Sequence, residues 1–160
     1  MNIKICTPVI GKTLQEFLEN VKRIQEISDF IELRVDYIEH ISVDNLQDIK
    51  NNVSKEAIFT CRKKSEGGNF TGPEELRIAI LQKAFDLEFD YIDVELSTIK
   101  EFQFTKKGNT TLIISYHNFN ETPSYWDMQK IIREMNNYKL DILKIATMLK
   151  KEYEQTKIYR

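Results

Sequence analysis

Six short apolar runs alternate with longer stretches of helical spacing along this 160-residue chain, and that alternation constrains its fold most. The runs cover residues 3–10, 30–37, 57–62, 91–96, 111–116 and 141–147. Strand, helix and strand in succession build a βαβ unit, whose two strands run parallel. After the first run, Thr13 and Glu16 fit a capping box, and Leu14, Phe17, Leu18, Val21 and Ile24 recur at helical spacing. The second run alternates, so Glu32, Arg34 and Asp36 are expected on one face with Leu33 and Val35 on the other. Further helices are expected over residues 43–53, with Ser42 or Asp44 as cap, over 73–85 with Pro73 near the start, and from 122 to about 136. The connection over residues 97–111 has poor helical character around Phe102 and Phe104, and a loop or single turn is expected there. No linker or low-complexity segment interrupts the series, so residues 1–160 are read as one βα domain.

Parallel βα units close into a barrel or spread into a doubly wound sheet. The doubly wound form often carries a glycine-rich phosphate turn after an early strand. Here Gly67 and Gly68 are too few and follow the third run, which argues against a nucleotide site. Polar side chains instead gather where strands should end: Glu32 and Arg34, Arg62, Asp93 and Glu95, His117, Lys144. In βα barrels that end holds the site. A (β/α)8 barrel needs eight strands and about 250 residues, so the expected architecture is a barrel of this type with about six units present. The segment 150–160 is expected to lie within a sixth helix.

The formal net charge of −2, with lysines and arginines scattered among acids, gives no electrostatic case for nucleic acid or an anionic membrane. No apolar run nears the ~20 residues that span a bilayer, and the first residues read as a strand rather than a signal peptide. Cys6 and Cys61 are far apart, each in an expected strand, and are read as buried reduced thiols. A cytoplasmic protein is the expectation.

Lys144 stands among apolar residues at the end of the sixth run, and His117 ends the fifth. A desolvated lysine tends to lose its proton, and the neutral amine attacks carbonyl carbon to form a Schiff base. An imidazole nearby can move protons at neutral pH. Each residue also has a plainer reading: a lysine with buried stem and solvated amine, and a hydrogen-bonded structural histidine. Glu32 and Arg34 can be a same-face salt bridge, Glu66 a solvated loop acid, and Asp93 and Glu95 partners for lysine or arginine at the barrel mouth. Two acids without a supporting histidine motif argue against a metal. His40 reads as a surface residue. Phe119, Tyr125 and Trp126 read as packing between a helix and the sheet.

The set Glu32-Leu-Arg34-Val-Asp36, Thr60-Cys-Arg62, Glu66-Gly-Gly68, Asp93-Val-Glu95, Ser115-Tyr-His117-Asn118 and Lys144-Ile-Ala146 resembles, in order and over nearly the whole chain, type I 3-dehydroquinate dehydratase. The resemblance implies a (β/α)8 barrel, commonly dimeric, that converts 3-dehydroquinate to 3-dehydroshikimate in the shikimate pathway without metal or organic cofactor. It implies that Lys144 forms the imine and that His117 removes the adjacent proton and later protonates the departing hydroxyl. Glu66 would orient His117 and support its charged form, and Glu32, Arg34 and Arg62 would hold the substrate. Arg34 and Arg62 would also press Lys144 toward its neutral form. In the family the last two strands supply an arginine for the substrate carboxylate and a serine- and glutamine-bearing loop, for which these 160 residues offer no counterpart. Two alternatives therefore stand beside the dehydratase: a truncated or inactive barrel fragment that works only with a partner chain, and another imine-forming barrel enzyme such as a class I aldolase.

Overall fold

A computed structural model describes residues 3–139 and 141–150. The helix expected over 150–160 therefore falls, all but its first residue, outside the described residues. Six parallel strands form one sheet in the order β1-β2-β3-β4-β5-β6: Thr7–Val9, Phe30–Arg34, Glu56–Thr60, Tyr91–Glu95, Thr111–Asn118 and Ile142–Thr147. Five helices connect them: α1 (Leu14–Gln25), α2 (Asn45–Asn52), α3 (Glu74–Asp86), α4 (Leu96–Glu101) and α5 (Tyr125–Met135). A doubly wound sheet reverses its strand order at a switch point. This one never does, and with crossovers of one hand every helix falls on the same face. The sheet is a curled part of a TIM-type barrel.

Local chemistry explains most boundaries. Thr13 Oγ1 accepts the Glu16 amide at 3.1 Å, while the Glu16 carboxylate accepts the Lys12 amide at 2.8 Å, one residue outside the usual capping box. Phe17 and Val21 are buried, with Leu14, Leu18 and Ile24 packed at the margin of the same core. Ser124 caps α5 through the Asp127 amide at 3.2 Å. For α2 the cap is Asp44, which makes no side-chain bond there; the Asn45 carboxamide accepts the Ser42 amide instead. The main core lies between helices and sheet, with Phe17, Ile31, Leu33, Phe59, Leu81 and Ile92 fully enclosed.

Four expectations change. The first strand is only Thr7–Val9, and Ile3, Ile5 and Ile10 are exposed. Its register begins at Thr7↔Ile31, one residue into β2, so residues before Cys6 have no β2 ladder to join. The second strand stops at Arg34, where its pairing with Thr60 ends, and Val35–Tyr37 turn into a single 3-10 turn. Asp36 thus leaves the strand face that it was expected to share with Glu32. The connection after β4 is neither loop nor single turn throughout: α4 forms over six residues before the chain extends toward β5. Cys61 is buried as expected, whereas Cys6 is exposed.

Candidate active site

The carboxyl ends of the strands carry one connected polar network, and Asp93 is its hub. Asp93 lies on β4 between Ile92 and Val94, with its side chain fully buried. Its Oδ2 faces both Arg62 Nη2 at 2.9 Å and Lys144 Nζ at 3.0 Å, and its Oδ1 accepts the Ser115 hydroxyl at 2.6 Å. Burial pushes an aspartate up, yet Arg62 and then Lys144, with the Ser115 hydroxyl, hold Asp93 below the ordinary carboxylate range. Two cations share one carboxylate oxygen here, so the repulsion between them is offset by the charge they both touch.

Lys144 lies on β6, in register with Ser115 of β5. Its side chain is 38% exposed, and Glu32 Oε1 stands 3.8 Å from Nζ, in addition to Asp93. Glu32 accepts the Thr60 hydroxyl at 2.9 Å rather than pairing with Arg34. Arg34 points its guanidinium at Asp36, with Nε–Oδ1 at 2.9 Å and Nη2–Oδ2 at 2.8 Å, and lies over the Tyr37 ring. Of the two arginines expected beside Lys144, Arg62 is there through Asp93, and Arg34 is committed to the turn that follows its own strand.

His117 completes the chain of contacts. Arg62 Nη1 donates to Ser115 Oγ at 3.0 Å and lies 2.7 Å from His117 Nδ1. A guanidinium can only donate, so Nδ1 accepts and the proton of the neutral ring sits on Nε2. Glu66 Oε2 is 3.4 Å from the same Nδ1. Glu66 was expected to be the orienting partner of His117, and the structure brings the two together but gives Arg62 the closer contact. The second Glu66 oxygen accepts the Ser97 hydroxyl at 2.5 Å. Burial raises the Glu66 carboxyl, but a proton on His117 Nδ1, the Ser97 hydroxyl and the nearby Lys63 act to bring it below its ordinary value.

The loop that carries Glu66 fits only with glycine at two points. Gly67 has φ +77°, and a Cβ there would meet the Phe119 ring at 2.4 Å; at Gly68 a Cβ would meet the Arg62 carbonyl oxygen at 2.0 Å. Phe119 stacks on His117 with ring centroids 6.1 Å apart and planes 14° from parallel. It was expected to pack a helix on the sheet, as was Trp126, which is instead 69% exposed. Glu95 follows its plainer reading: it pairs with the fully buried Arg77 at 2.9 Å and accepts the Lys63 amide at 3.1 Å. His40 is exposed. Among the described residues no group of three or more His, Cys, Asp or Glu is placed to hold a metal ion.

All six residues singled out from the sequence sit at this end of the sheet, and Lys144, Glu32, Arg62, His117 and Glu66 join one network through Asp93 and Ser115. Asp93 follows its plainer reading as a partner for arginine and lysine at the strand ends. The parts played by Ser115, Ser97 and Phe119 were not expected. Nothing local marks Ser97.

Comparison with known proteins gives a consistent answer. The family model described as type I 3-dehydroquinase matches residues 5–160. The 3-dehydroquinate dehydratase of Coxiella burnetii is 40% identical over 154 residues, which cover 96% of this chain and 65% of that protein. The corresponding protein of Methanothermobacter thermautotrophicus is 37% identical over 150 residues, 92% of this chain and 67% of its own length. The solved 3-dehydroquinate dehydratase of Enterococcus faecalis superposes with a TM-score of 0.82 at 25% identity, over 98% of this chain and 70% of that one. The chain thus spans 65% of the length of the first of these relatives. With residues 5–160 of its 160 matched by the family model, this chain belongs to the type I 3-dehydroquinase family.

Proposed function

We propose that this chain carries the imine-forming and proton-transfer part of a 3-dehydroquinate dehydratase site, converting 3-dehydroquinate to 3-dehydroshikimate and water in the shikimate pathway. The observation that carries this reading is the single network from Lys144 through Asp93 and Arg62 to His117. It puts a primary amine and an imidazole on adjacent strands within one small polar site.

The Lys144 amine adds to the substrate ketone and water leaves, giving an imine; the proton it must shed has Asp93 and Glu32 within reach. The protonated imine draws electrons from the neighbouring carbon, so His117 removes the α-proton and an enamine forms. The enamine expels the β-hydroxyl as His117 returns that proton to it. Hydrolysis of the remaining imine frees Lys144 and consumes the first water, so the net loss is one water. In this reading Glu66 supports the imidazolium, while Arg62, Glu32 and Arg34 contact the substrate. No metal or organic cofactor takes part. A cytoplasmic homodimer is the setting we infer; as a separate fact, no helix of the described residues is long and apolar enough to cross a membrane.

Borohydride reduction in the presence of 3-dehydroquinate tests the reading. Peptide mapping should find the reduced adduct on Lys144, and Lys144→Ala should abolish it. Folded protein without any adduct would defeat the imine assignment.

A second reading has its own observation. Among the described residues β1 and β6 each pair on one side only, and Lys144 lies on the β6 edge. Polypeptide beyond these six strands, from a partner chain, would then complete the barrel before turnover. The two readings separate on a steady-state assay of the purified chain: full activity from a monomer excludes the second.

A further inference from the structure

Glu66 sits in a three-residue 3-10 turn, Lys64–Glu66, between β3 and α3. A carboxylate on such a turn has many orientations open to it, and only side-chain contacts can choose among them. Among the described residues its contacts are three. Oε2 faces His117 Nδ1 at 3.4 Å, Oε1 accepts from Ser97 Oγ at 2.5 Å, and Lys63 Nζ stands 3.9 Å from Oε1. Lys63 belongs to the same loop and moves with it. Ser97 does not: it occupies the first turn of α4, two residues beyond the last residue of β4. Its hydroxyl is the one firm bond from the body of the fold to this carboxylate, and it takes the oxygen that His117 does not use.

The need for such a clamp follows from the competition at Nδ1. Arg62 holds that nitrogen at 2.7 Å and can only donate. As soon as His117 accepts a second proton, the protonated ring becomes a donor at both nitrogens, Arg62 must give way, and Glu66 Oε2 is the acceptor at hand. Closing from 3.4 Å to an ordinary charge-assisted bond of about 2.8 Å is a small movement only if the carboxylate already faces the ring.

We propose that Ser97 is a positioning residue for the acid–base pair: its hydroxyl pins Glu66 Oε1 so that Oε2 stays aimed at His117 and receives Nδ1–H when the imidazolium forms. The consequence for turnover rests on the dehydratase reading; the effect on the His117 ring does not. The charged and titratable groups around the pair are Arg62 at the end of β3, Lys63 on the loop, and Asp93 and Lys144 beyond Arg62. None of these is changed by a substitution at Ser97.

The test is nitrogen-15 NMR of the histidine rings across a pH titration. The chain has two histidines, and His40→Gln assigns the signals. Three variants are compared with the wild type: Ser97→Ala, Ser97→Thr and, as the reference for full loss of the carboxylate, Glu66→Gln. Ser97→Ala should move the His117 midpoint to lower pH by at least half the displacement seen in Glu66→Gln, and Ser97→Thr should restore it. A His117 titration that Ser97→Ala leaves unchanged, or one that even Glu66→Gln does not move, overturns the proposal. The amide spectrum of each variant shows that it is folded. Failure of borohydride trapping would remove the reaction and leave this result standing, so the two outcomes are distinguishable. Where the chain is active, Ser97→Ala should lower kcat several-fold with little change in KM, and threonine should rescue it.

Discussion

Asp93 is the residue on which the site depends. Its buried carboxylate answers two cations that approach the same oxygen, Arg62 from just beyond β3 and Lys144 from β6. Replacing it with asparagine keeps the shape and removes the charge, leaving a guanidinium nine-tenths or more enclosed without its counter-ion. Breaking a buried pair in this way costs about 3–5 kcal/mol, and Asp93→Asn should lose about that much in denaturant titrations at pH 7. The pH dependence has a definite sign. Burial opposes ionisation of Asp93, but Arg62 and Lys144 overcome it and hold the folded-state value below the ordinary aspartate value of about 3.9. A carboxyl lowered on folding contributes stability that is fully present above the unfolded value and lost as pH falls through the folded one. The stability gap between wild type and Asp93→Asn should therefore stay constant from neutrality down to about pH 5 and narrow below about pH 4. A gap that is flat through that acid window would show that Asp93 is not an ionised partner of Arg62.

At the scale of elements, the polar site is held from behind by α3. Arg77 of that helix is fully buried, and its guanidinium donates to Glu95 of β4 at 2.9 Å, the Cys61 carbonyl at 2.9 Å, the Thr98 hydroxyl at 2.6 Å and Glu74 of its own helix. Glu95 in turn accepts the Lys63 amide, so one ion pair fixes the helix, the strand and the start of the loop that bears Glu66. Arg77→Leu strands the Glu95 carboxylate in the interior and should destabilise the fold by about 3–5 kcal/mol. Lys130→Ala, which breaks an exposed pair with Asp127, should change stability far less than Arg77→Leu. Equal effects of the two in chemical denaturation would sink this account of how α3 is anchored. The elements themselves were largely legible in the sequence, because the repeat of Leu14, Phe17, Val21 and Ile24 needs nothing but a helix to bury it. The end of β2 was not legible. Residues 30–37 keep alternating in hydropathy, and only the end of β3 at Thr60 takes the ladder away after Arg34. Arg77 was hidden for the same kind of reason, since a buried arginine is permitted only by Glu95 and Glu74, which the fold brings to it. The site residues at strand ends could be read from type and order. What joins them, Asp93 to two cations and Ser97 to Glu66, exists only once distant strands are adjacent.

For the molecule as a whole, the consequential feature is that the sheet curls without β1 meeting β6 among the described residues. An edge strand offers a row of unpaired amide and carbonyl groups, and proteins blunt it with charge, proline or a covering segment. Among the described residues the β6 edge has little of this protection: Ile142 is 40% exposed, with Met148 and Leu149 exposed just beyond the strand. The one charged side chain on β6 is Lys144, which turns to Asp93 instead of guarding the edge. This chain should therefore self-associate with rising concentration, in keeping with the dimer inferred above, and the contact should run along β6. Sedimentation velocity over a hundredfold concentration range should show the mass shift, and Ile142→Lys, which puts a charge on the exposed start of the strand, should return the protein to monomer. Lysine acetylation adds the link to chemistry. Lys144 is 38% exposed in the single chain, so covering β6 should slow its acetylation in concentrated wild type and not in Ile142→Lys. A chain that stays monomeric throughout, or associates equally well with Lys at 142, would mean that the β6 edge is not the adhesive surface and that the proposed dimer forms elsewhere.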